Sequence, residues 1–134
     1  AYLPRRLDGA GRRALLARVA GRRGSGTVIL DAYGGAINAV DADATAFVHR
    51  DALASVQILS YHPAGASAGP RAWVSGTRAA LVRAGARGAY VNYADPSLRD
   101  PAREYWGANR ARLVEIKRRV DPDRRIVFPQ AVGS

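Results

Sequence analysis

Cysteine is absent from this chain of 134 residues, and histidine occurs twice, at His49 and His62. Without cysteine the chain can form no disulfide, no thiolate nucleophile and no thiolate metal site, and the redox compartment stays undetermined. Two histidines thirteen residues apart do not provide the ligand set of a zinc site. We therefore predict no metal centre in this chain.

Long apolar runs are missing as well. No stretch approaches the roughly 20 apolar residues of a membrane-spanning helix. The first residues lack the apolar segment of a signal peptide. The chain opens on Ala-Tyr-Leu-Pro-Arg and contains no methionine, which we interpret as sequence from the middle of a protein. We expect no membrane partner.

Acidic residues are scarce, with 11 against 21 basic residues and a net charge of +10. Such an excess is typical of proteins that bind nucleic acid, but its distribution argues against that function. Residues 1–25 carry +6 and residues 96–134 carry +4, whereas residues 26–95 are neutral. Arginine supplies 20 of the 21 basic residues, which indicates GC-rich codon usage rather than a phosphate-binding face. Nucleic acid is therefore a disfavoured partner.

Hydrophobic periodicity and turn residues predict a chain of mixed helices and strands. We predict helices at 11–23, 71–84 and 102–120. Strands are predicted at 27–33, 54–61 and 88–95, with further extended segments at 36–40, 45–50 and 126–129. The expected fold class is α+β, with an antiparallel sheet covered by helices on one side.

The stretch 88–95 organises the rest of the chain. Its tyrosines and valine favour a strand, and Asp95 before proline ends it. Alternation along that strand places Tyr90 and Asn92 on one face and Val91 and Tyr93 on the other. Two interpretations stay open: the tyrosines are amphipathic side chains at a strand end, or a phenol and an amide face a ligand.

Two other features could face a ligand. Gln57 lies in the middle of the clearest strand, where a polar amide must be solvated, paired or directed at a ligand. Gly34 and Gly35 follow Tyr33 and permit either a turn or the close approach of a flat ligand. For His49 we favour a structural role with a satisfied hydrogen bond.

Several motifs taken together resemble one family. They are the segments 31–38, 46–50, 56–57, 89–93 and 105–113, followed by Lys117, Asp121-Pro122 and Phe128. The Tyr-x-Asn-Tyr element at 90–93 and the helix that begins Trp-Gly-x-Asn at 106–109 are the most specific of them. From about residue 14 the chain resembles the C-terminal portion of the berberine-bridge-enzyme-like flavoprotein oxidases, which include bacterial sugar oxidases and antibiotic-tailoring oxidoreductases.

The resemblance implies FAD as cofactor, a small-molecule substrate and oxygen as the final electron acceptor. Residues 1–95 would be the later part of the substrate domain, and residues 96–134 would return to an FAD-binding domain that this chain lacks. That missing domain would be the main partner and would hold the flavin-linking residues. The chain alone is expected to be inactive.

The resemblance also implies roles for single residues. In the family a tyrosinate or carboxylate removes a proton while hydride passes to the flavin, and Tyr93 matches the position of the base. Gln57 and Tyr33 are candidates for substrate binding. Tyr90, Asn92 and Asn109 are candidates for cofactor contacts. Two alternatives remain open: a truncated binding module without catalysis, and a basic nucleic-acid-binding domain.

Overall fold

The computed structural model describes residues 1–22 and 24–134. Its elements are β1 (Tyr2–Leu3), α1 (Gly9–Ala20), β2 (Thr27–Ala32), α2 (Gly35–Asn38), β3 (Ala54–Leu59), α3 (Ala68–Arg83), α4 (Pro101–Trp106), a 3-10 helix (Gly107–Asn109) and α5 (Arg110–Val120). The predicted end of the first helix at Arg23 lies outside the described residues. Across these ranges no helix combines the length and apolar character that crossing a membrane requires.

The strands of the described residues form one antiparallel sheet in the order β1-β3-β2. Tyr2 lies opposite Ser55, and Ile29 lies opposite Gln57. Side chains alternate between the two faces of a sheet, and residues opposite each other point the same way. Tyr2, Ile29 and Gln57 therefore share one face, which we call the Gln57 face.

Helices cover the other face of the sheet. Leu3 and Val56 from the strands pack there with Leu7, with Leu81 of α3 and with Ala86, and all five side chains are buried. The partly buried residues packed against them are Ala1, Leu15, Val28, Ala54, Ile58 and Ala84. Burial of such side chains contributes roughly 1.5–3 kcal/mol for each large aliphatic group. The expected α+β class, with helices over an antiparallel sheet, is confirmed.

A second apolar cluster lies beside the end of the sheet. Its buried members are Ala89, Tyr105 and Trp106. Four partly buried side chains pack against them: Leu98, Ala102, Leu113 and Val132. This cluster joins residues from both sides of the predicted boundary at 95/96, and the boundary itself stays a prediction.

The predicted helix over 102–120 is two helices. Asp100 caps α4 by accepting a hydrogen bond from the backbone N–H of Arg103, and Pro101 occupies the first turn, where a missing N–H costs little. Gly107 then adopts a φ of +48°, which disfavours residues with a Cβ and ends α4. The chain restarts through the 3-10 turn into α5.

The predictions of three further extended segments are wrong or only partly right. Residues 36–40 begin in the short helix α2, because Gly34 and Gly35 both take positive φ and turn the backbone out of β2. Residues 45–50 form a loop that Arg50 fastens by donating to the carbonyl oxygens of Phe47 and Ile37. Residues 126–129 form no strand; they run as a tail in which the Ile126 carbonyl oxygen accepts a hydrogen bond from Lys117 Nζ.

The predicted strand at 88–95 is also wrong. Arg87, just before this segment, makes a bridge to the sheet through two backbone hydrogen bonds with Tyr2 of 2.8 and 2.9 Å. Gly88 then takes a φ of +65°, and the chain leaves the sheet as a loop. The strand preference of tyrosine and valine is overridden by packing of this loop on α4.

Candidate functional site

The loop 88–95 is held at both ends by α4. At its start, the backbone N–H of Ala89 donates to the carbonyl oxygen of Glu104 over 2.9 Å. At its end, the backbone N–H of Asp95 donates to the hydroxyl of Tyr105 over 3.0 Å. Two neighbouring residues of one helix therefore fix both ends of the loop, and the middle lies at the surface.

The middle of the loop is a tight turn from Tyr90 to Tyr93. The N–H of Tyr93 donates to the carbonyl oxygen of Tyr90 over 3.0 Å, and the two rings meet edge to face with centroids 5.2 Å apart. Asn92 Nδ2 donates to the Tyr90 hydroxyl over 2.8 Å. The expectation that Tyr90 and Tyr93 lie on opposite faces is therefore wrong, since a turn brings their rings together. Tyr93 is 54% exposed.

Gln57 lies close to this turn. A cavity of about 320 Å³ runs along β3, and its walls include Ser55 and Gln57 from the strand and Tyr90, Tyr93 and Asp95 from the loop. The cavity places a neutral amide and a half-exposed phenol in one space. Both can hydrogen-bond a hydroxyl of a ligand, the amide as donor and acceptor and the phenol likewise.

Tyr33 joins the same region through aromatic contacts rather than through the cavity wall. It follows β2 and contacts Tyr2 and Phe47, with ring centroids 5.7 and 6.2 Å apart respectively. Phe47 in turn meets Tyr90 edge to face at 6.4 Å. Burial, and next the neighbouring phenol of Tyr33, raise the pKa of Tyr2, so that its hydroxyl stays neutral.

His49 supports the beginning of the loop. Its ring stacks on Tyr2 with centroids 4.1 Å apart, and Nε2 lies 3.1 Å from the Ala89 carbonyl oxygen, which makes Nε2 the protonated nitrogen. Burial lowers the pKa of the imidazole, against the smaller opposite effect of the Ala89 carbonyl. An added Cβ at Gly88 would lie 2.8 Å from Nδ1 of this ring.

Asn109 lies apart from the other predicted site residues. Its Nδ2 donates to the carbonyl oxygens of Ala42 and Thr45 over 2.6 and 2.9 Å. These bonds fasten the loop between α2 and β3 to the junction of α4 and α5. The structure thus brings Tyr93, Tyr90, Asn92 and Gln57 together, attaches Tyr33 through aromatic rings, and leaves Asn109 elsewhere.

Two residues next to the site were missed from the sequence. The ring of Tyr105 is buried, and its hydroxyl holds the loop by accepting a hydrogen bond from the Asp95 N–H. Gln130 occupies the tail, and its amide contacts both Tyr105 and Asp95. Nothing in the local pattern around Gln130 indicates this contact, since the residues it joins are 25 and 35 positions away.

Comparison with known proteins identifies this loop and helix unit. The family described as berberine and berberine like matches residues 89–133. This segment therefore matches a berberine-like domain. It includes the Tyr90–Tyr93 turn, α4, α5 and the tail, so the resemblance stated for the sequence is confirmed.

Relatives that match about three quarters of the chain include an FAD-linked oxidoreductase and a carbohydrate oxidase. An uncharacterized FAD-linked oxidoreductase of Bacillus subtilis is 34% identical over 102 residues, and the match covers 75% of this chain and 22% of the relative. A carbohydrate oxidase of Microdochium nivale is 36% identical over 114 residues, covering 77% of this chain and 23% of the relative. The chain therefore spans less than a quarter of the length of these relatives.

Almost the full length of this chain shares its fold with part of a solved structure. A glycopeptide hexose oxidase, crystallised in complex with teicoplanin, matches with a TM-score of 0.85 and 29% identity. The match covers 99% of this chain and 31% of that protein. The berberine-like domain and the sheet before it are thus found together in a larger oxidase.

Proposed function

We propose that this chain forms the substrate side and the C-terminal part of an FAD-dependent oxidase. The reaction would oxidise an alcohol or C–H bond of a sugar or natural product, with oxygen as the final electron acceptor. The observation that supports this proposal most directly is the cavity shared by Gln57 and Tyr93 in a chain related to a carbohydrate oxidase and a hexose oxidase.

The groups around this cavity fit the flavin ring of FAD better than its phosphates. Gln57, Tyr90 and Tyr93 offer neutral hydrogen-bonding groups next to aromatic rings, which suit a flat, polar heterocycle. Arg78 also lines the cavity, but its guanidinium pairs with Glu104 at 3.1 Å and Asp95 at 3.8 Å. The phosphates would therefore be bound by the rest of the protein.

In this proposal Tyr93 takes the proton of the substrate hydroxyl. A phenol has a reference pKa of about 10 and acts as a base near neutral pH only when its anion is stabilised. A second group from outside this chain would supply that stabilisation. FAD, when bound, would supply the acceptor for the hydride.

The other predicted residues would bind and orient. Gln57 would hold a substrate hydroxyl or the edge of the flavin ring through its amide, and Tyr33 would form part of the substrate wall. Tyr90 and Asn92, already bonded to each other, would contact the cofactor. Asn109 could contact the cofactor only through its side-chain oxygen Oδ1, because Nδ2 already donates to the carbonyl oxygens of Ala42 and Thr45.

The division into two functional segments belongs to the same proposal. Residues 1–95 would contribute to the substrate domain, and residues 96–134 would pack on the FAD-binding domain. Exposed apolar side chains on the second segment support this assignment: Val120, Ile126, Val127 and Phe128 are between 56% and 67% exposed. Apolar groups concentrated in this way are typical of a surface that another domain covers.

Replacement of Tyr93 by phenylalanine tests the catalytic role. In the complete flavoprotein, Tyr93→Phe should lower the rate of flavin reduction by about 10²–10⁴-fold, the usual effect of removing a general base. Substrate binding should change little, because the ring is kept. The measurement is anaerobic stopped-flow reduction at saturating substrate. Tyr61→Phe is the matched control, since Tyr61 is 76% exposed. A Tyr93→Phe rate within about threefold of the wild-type rate would exclude Tyr93 as the base.

A further inference from the structure

We propose that Tyr105 and Gln130 are positioning residues that set the location of Tyr93. This inference rests on the proposed function of Tyr93 and assigns a task to the C-terminal tail within the same site. The tail, residues 121–134, would act by holding the end of the loop 88–95 rather than by touching the substrate.

The three residues close a ring of hydrogen bonds. The backbone N–H of Asp95 donates to the Tyr105 hydroxyl over 3.0 Å, and that hydroxyl donates to Gln130 Oε1 over 2.8 Å. Gln130 Nε2 completes the ring by donating to the Asp95 carbonyl oxygen over 2.8 Å. Both backbone groups of Asp95 are thus bound, and every donor in the ring meets an acceptor.

The ring lies in a setting that restricts its movement. Tyr105 is buried with 3% exposure, and its ring meets Trp106 edge to face at 5.7 Å. On the tail, Ala131 is buried and Val132 packs against the cluster around Tyr105. Hydrogen bonds in a partly buried setting of this kind are costly to leave unmade, at about 1–3 kcal/mol for each buried group that loses its partner.

The backbone of Gln130 gives independent support. Its φ is +67°, a left-handed conformation that residues with a Cβ adopt at a cost of about 1–2 kcal/mol. Such conformations persist where the surroundings require them, and they are concentrated at functional sites. At Gln130 the left-handed conformation accompanies a side-chain amide that bonds to Tyr105 and Asp95. The next residues are the buried Ala131 and Val132, which packs against the cluster around Tyr105.

The ring acts on Tyr93 because of its place in the chain. Asp95 follows Tyr93 by two residues, and Tyr93 itself is 54% exposed. The backbone bond from Tyr93 to Tyr90 shapes the turn but connects it only to itself. Fixing Asp95 therefore limits how far the phenol of Tyr93 can move, and a displacement of about 1 Å can cost 10²-fold in rate.

The test uses the complete flavoprotein and the rate of flavin reduction. Tyr105→Phe removes the hydroxyl and keeps the ring, while Gln130→Leu removes the amide and keeps much of the volume. We expect each to lower the limiting reduction rate by about 10- to 100-fold, with a smaller change in substrate affinity. Tyr61→Phe is again the control and should keep the wild-type rate.

Combination with Tyr93→Phe separates positioning from general support. If the ring acts by placing the Tyr93 phenol, Tyr105→Phe and Gln130→Leu should change the rate less than about threefold once that hydroxyl is gone, because interacting residues are not additive. Equal slowing in both backgrounds would overturn the positioning role.

Gln130→Glu provides a variant of nearly unchanged shape. A protonated glutamic acid can still donate to Asp95 and accept from Tyr105, whereas the carboxylate can only accept. The ratio of its reduction rate to that of the wild type should therefore fall as pH rises through the pKa of the new carboxyl group. A ratio that stays constant with pH would contradict the requirement for a donor at this position.

The outcomes distinguish this inference from the proposed function. If Tyr93→Phe slows flavin reduction while Tyr105→Phe and Gln130→Leu keep the wild-type rate, the base assignment stands and the positioning inference is overturned. If Tyr93→Phe itself keeps the wild-type rate, the base assignment fails, and the positioning inference fails with it.

Discussion

Gly88 is the position where a single methyl group should disturb this molecule most. The residue begins the Tyr90–Tyr93 loop and has a φ of +65°. A Cβ placed there would contact Cε1 of His49 and lie 2.8 Å from Nδ1. Gly88→Ala therefore combines an unfavourable backbone conformation with a steric conflict.

The imidazole cannot easily move away from the new methyl group. Its ring stacks on the buried Tyr2, and Nε2 is bound to the Ala89 carbonyl oxygen at 3.1 Å. The left-handed backbone costs about 1–2 kcal/mol for a residue with a Cβ. Overpacking of a restricted site adds about 1–3 kcal/mol. We expect Gly88→Ala to lower the free energy of unfolding by about 3 kcal/mol.

Gly65 offers a matched control. Its φ is +84°, and an added Cβ would meet nothing within 4 Å among the described residues. Gly65→Ala should therefore show the conformational cost alone, about 1 kcal/mol after the gain from a stiffer unfolded chain. Urea denaturation of the flavoprotein that contains this chain measures both free energies.

Removal of the histidine completes the test. In a His49→Ala background the steric part of the Gly88→Ala effect should disappear, which gives a coupling free energy of about 1–3 kcal/mol. Additive effects of the two substitutions would refute the assigned contact. Equal costs for Gly88→Ala and Gly65→Ala would refute the steric argument altogether.

Two further predictions concern Gln57 and Asp121. Gln57→Ala in the complete flavoprotein should weaken substrate affinity and lower the reduction rate, with a combined cost of about 1–3 kcal/mol. The pH profile of flavin reduction should stay unchanged, because no titrating group is removed. A variant that reacts normally but melts at a lower temperature would show that Gln57 is a structural amide. Asp121, at the end of α5, accepts hydrogen bonds from Lys117 Nζ and from the N–H groups of Ile126 and Arg125, and these bonds, the Lys117 bond first, lower the pKa of its carboxyl group. A lowered pKa in the folded state stabilises at pH values above the unfolded pKa, and this stabilisation is lost as pH falls through the folded pKa. The wild type should therefore melt at a higher temperature than Asp121→Asn at pH 6, the difference should shrink as pH falls below about 4, and a difference independent of pH would contradict the assigned role.

The sequence predicted the regular parts of the fold well. The strands at 27–33 and 54–61 and the helix at 71–84 correspond to β2, β3 and α3 within three residues at either end. These segments carry their own signal, since β-branched and apolar residues alternate or repeat at the period of the element they form. The turn residues Gly34-Gly35 also ended β2 as expected.

The loop 88–95 shows where that signal ends. Tyr90, Val91 and Tyr93 have the composition of a strand, yet the conformation is decided by Gly88 and by the bonds to Glu104 and Tyr105. Those partners lie ten or more residues later in the chain, so local preference could not reveal them. The resemblance to a family directed attention to Tyr93, and only the three-dimensional arrangement places Gln57 beside it.

The loop ends are held through backbone atoms. The N–H groups of Ala89 and Asp95 bond to α4, and Gln130 binds the Asp95 carbonyl oxygen. Between those ends, the Tyr90 ring contacts Phe47, and the side-chain hydrogen bond from Asn92 to Tyr90 stays within the loop. Ala94 is exposed and lines the cavity, so it can be exchanged while the loop keeps its attachment. Laboratory evolution that varies Ala94 should alter what the cavity accepts without having to rebuild the scaffold around it.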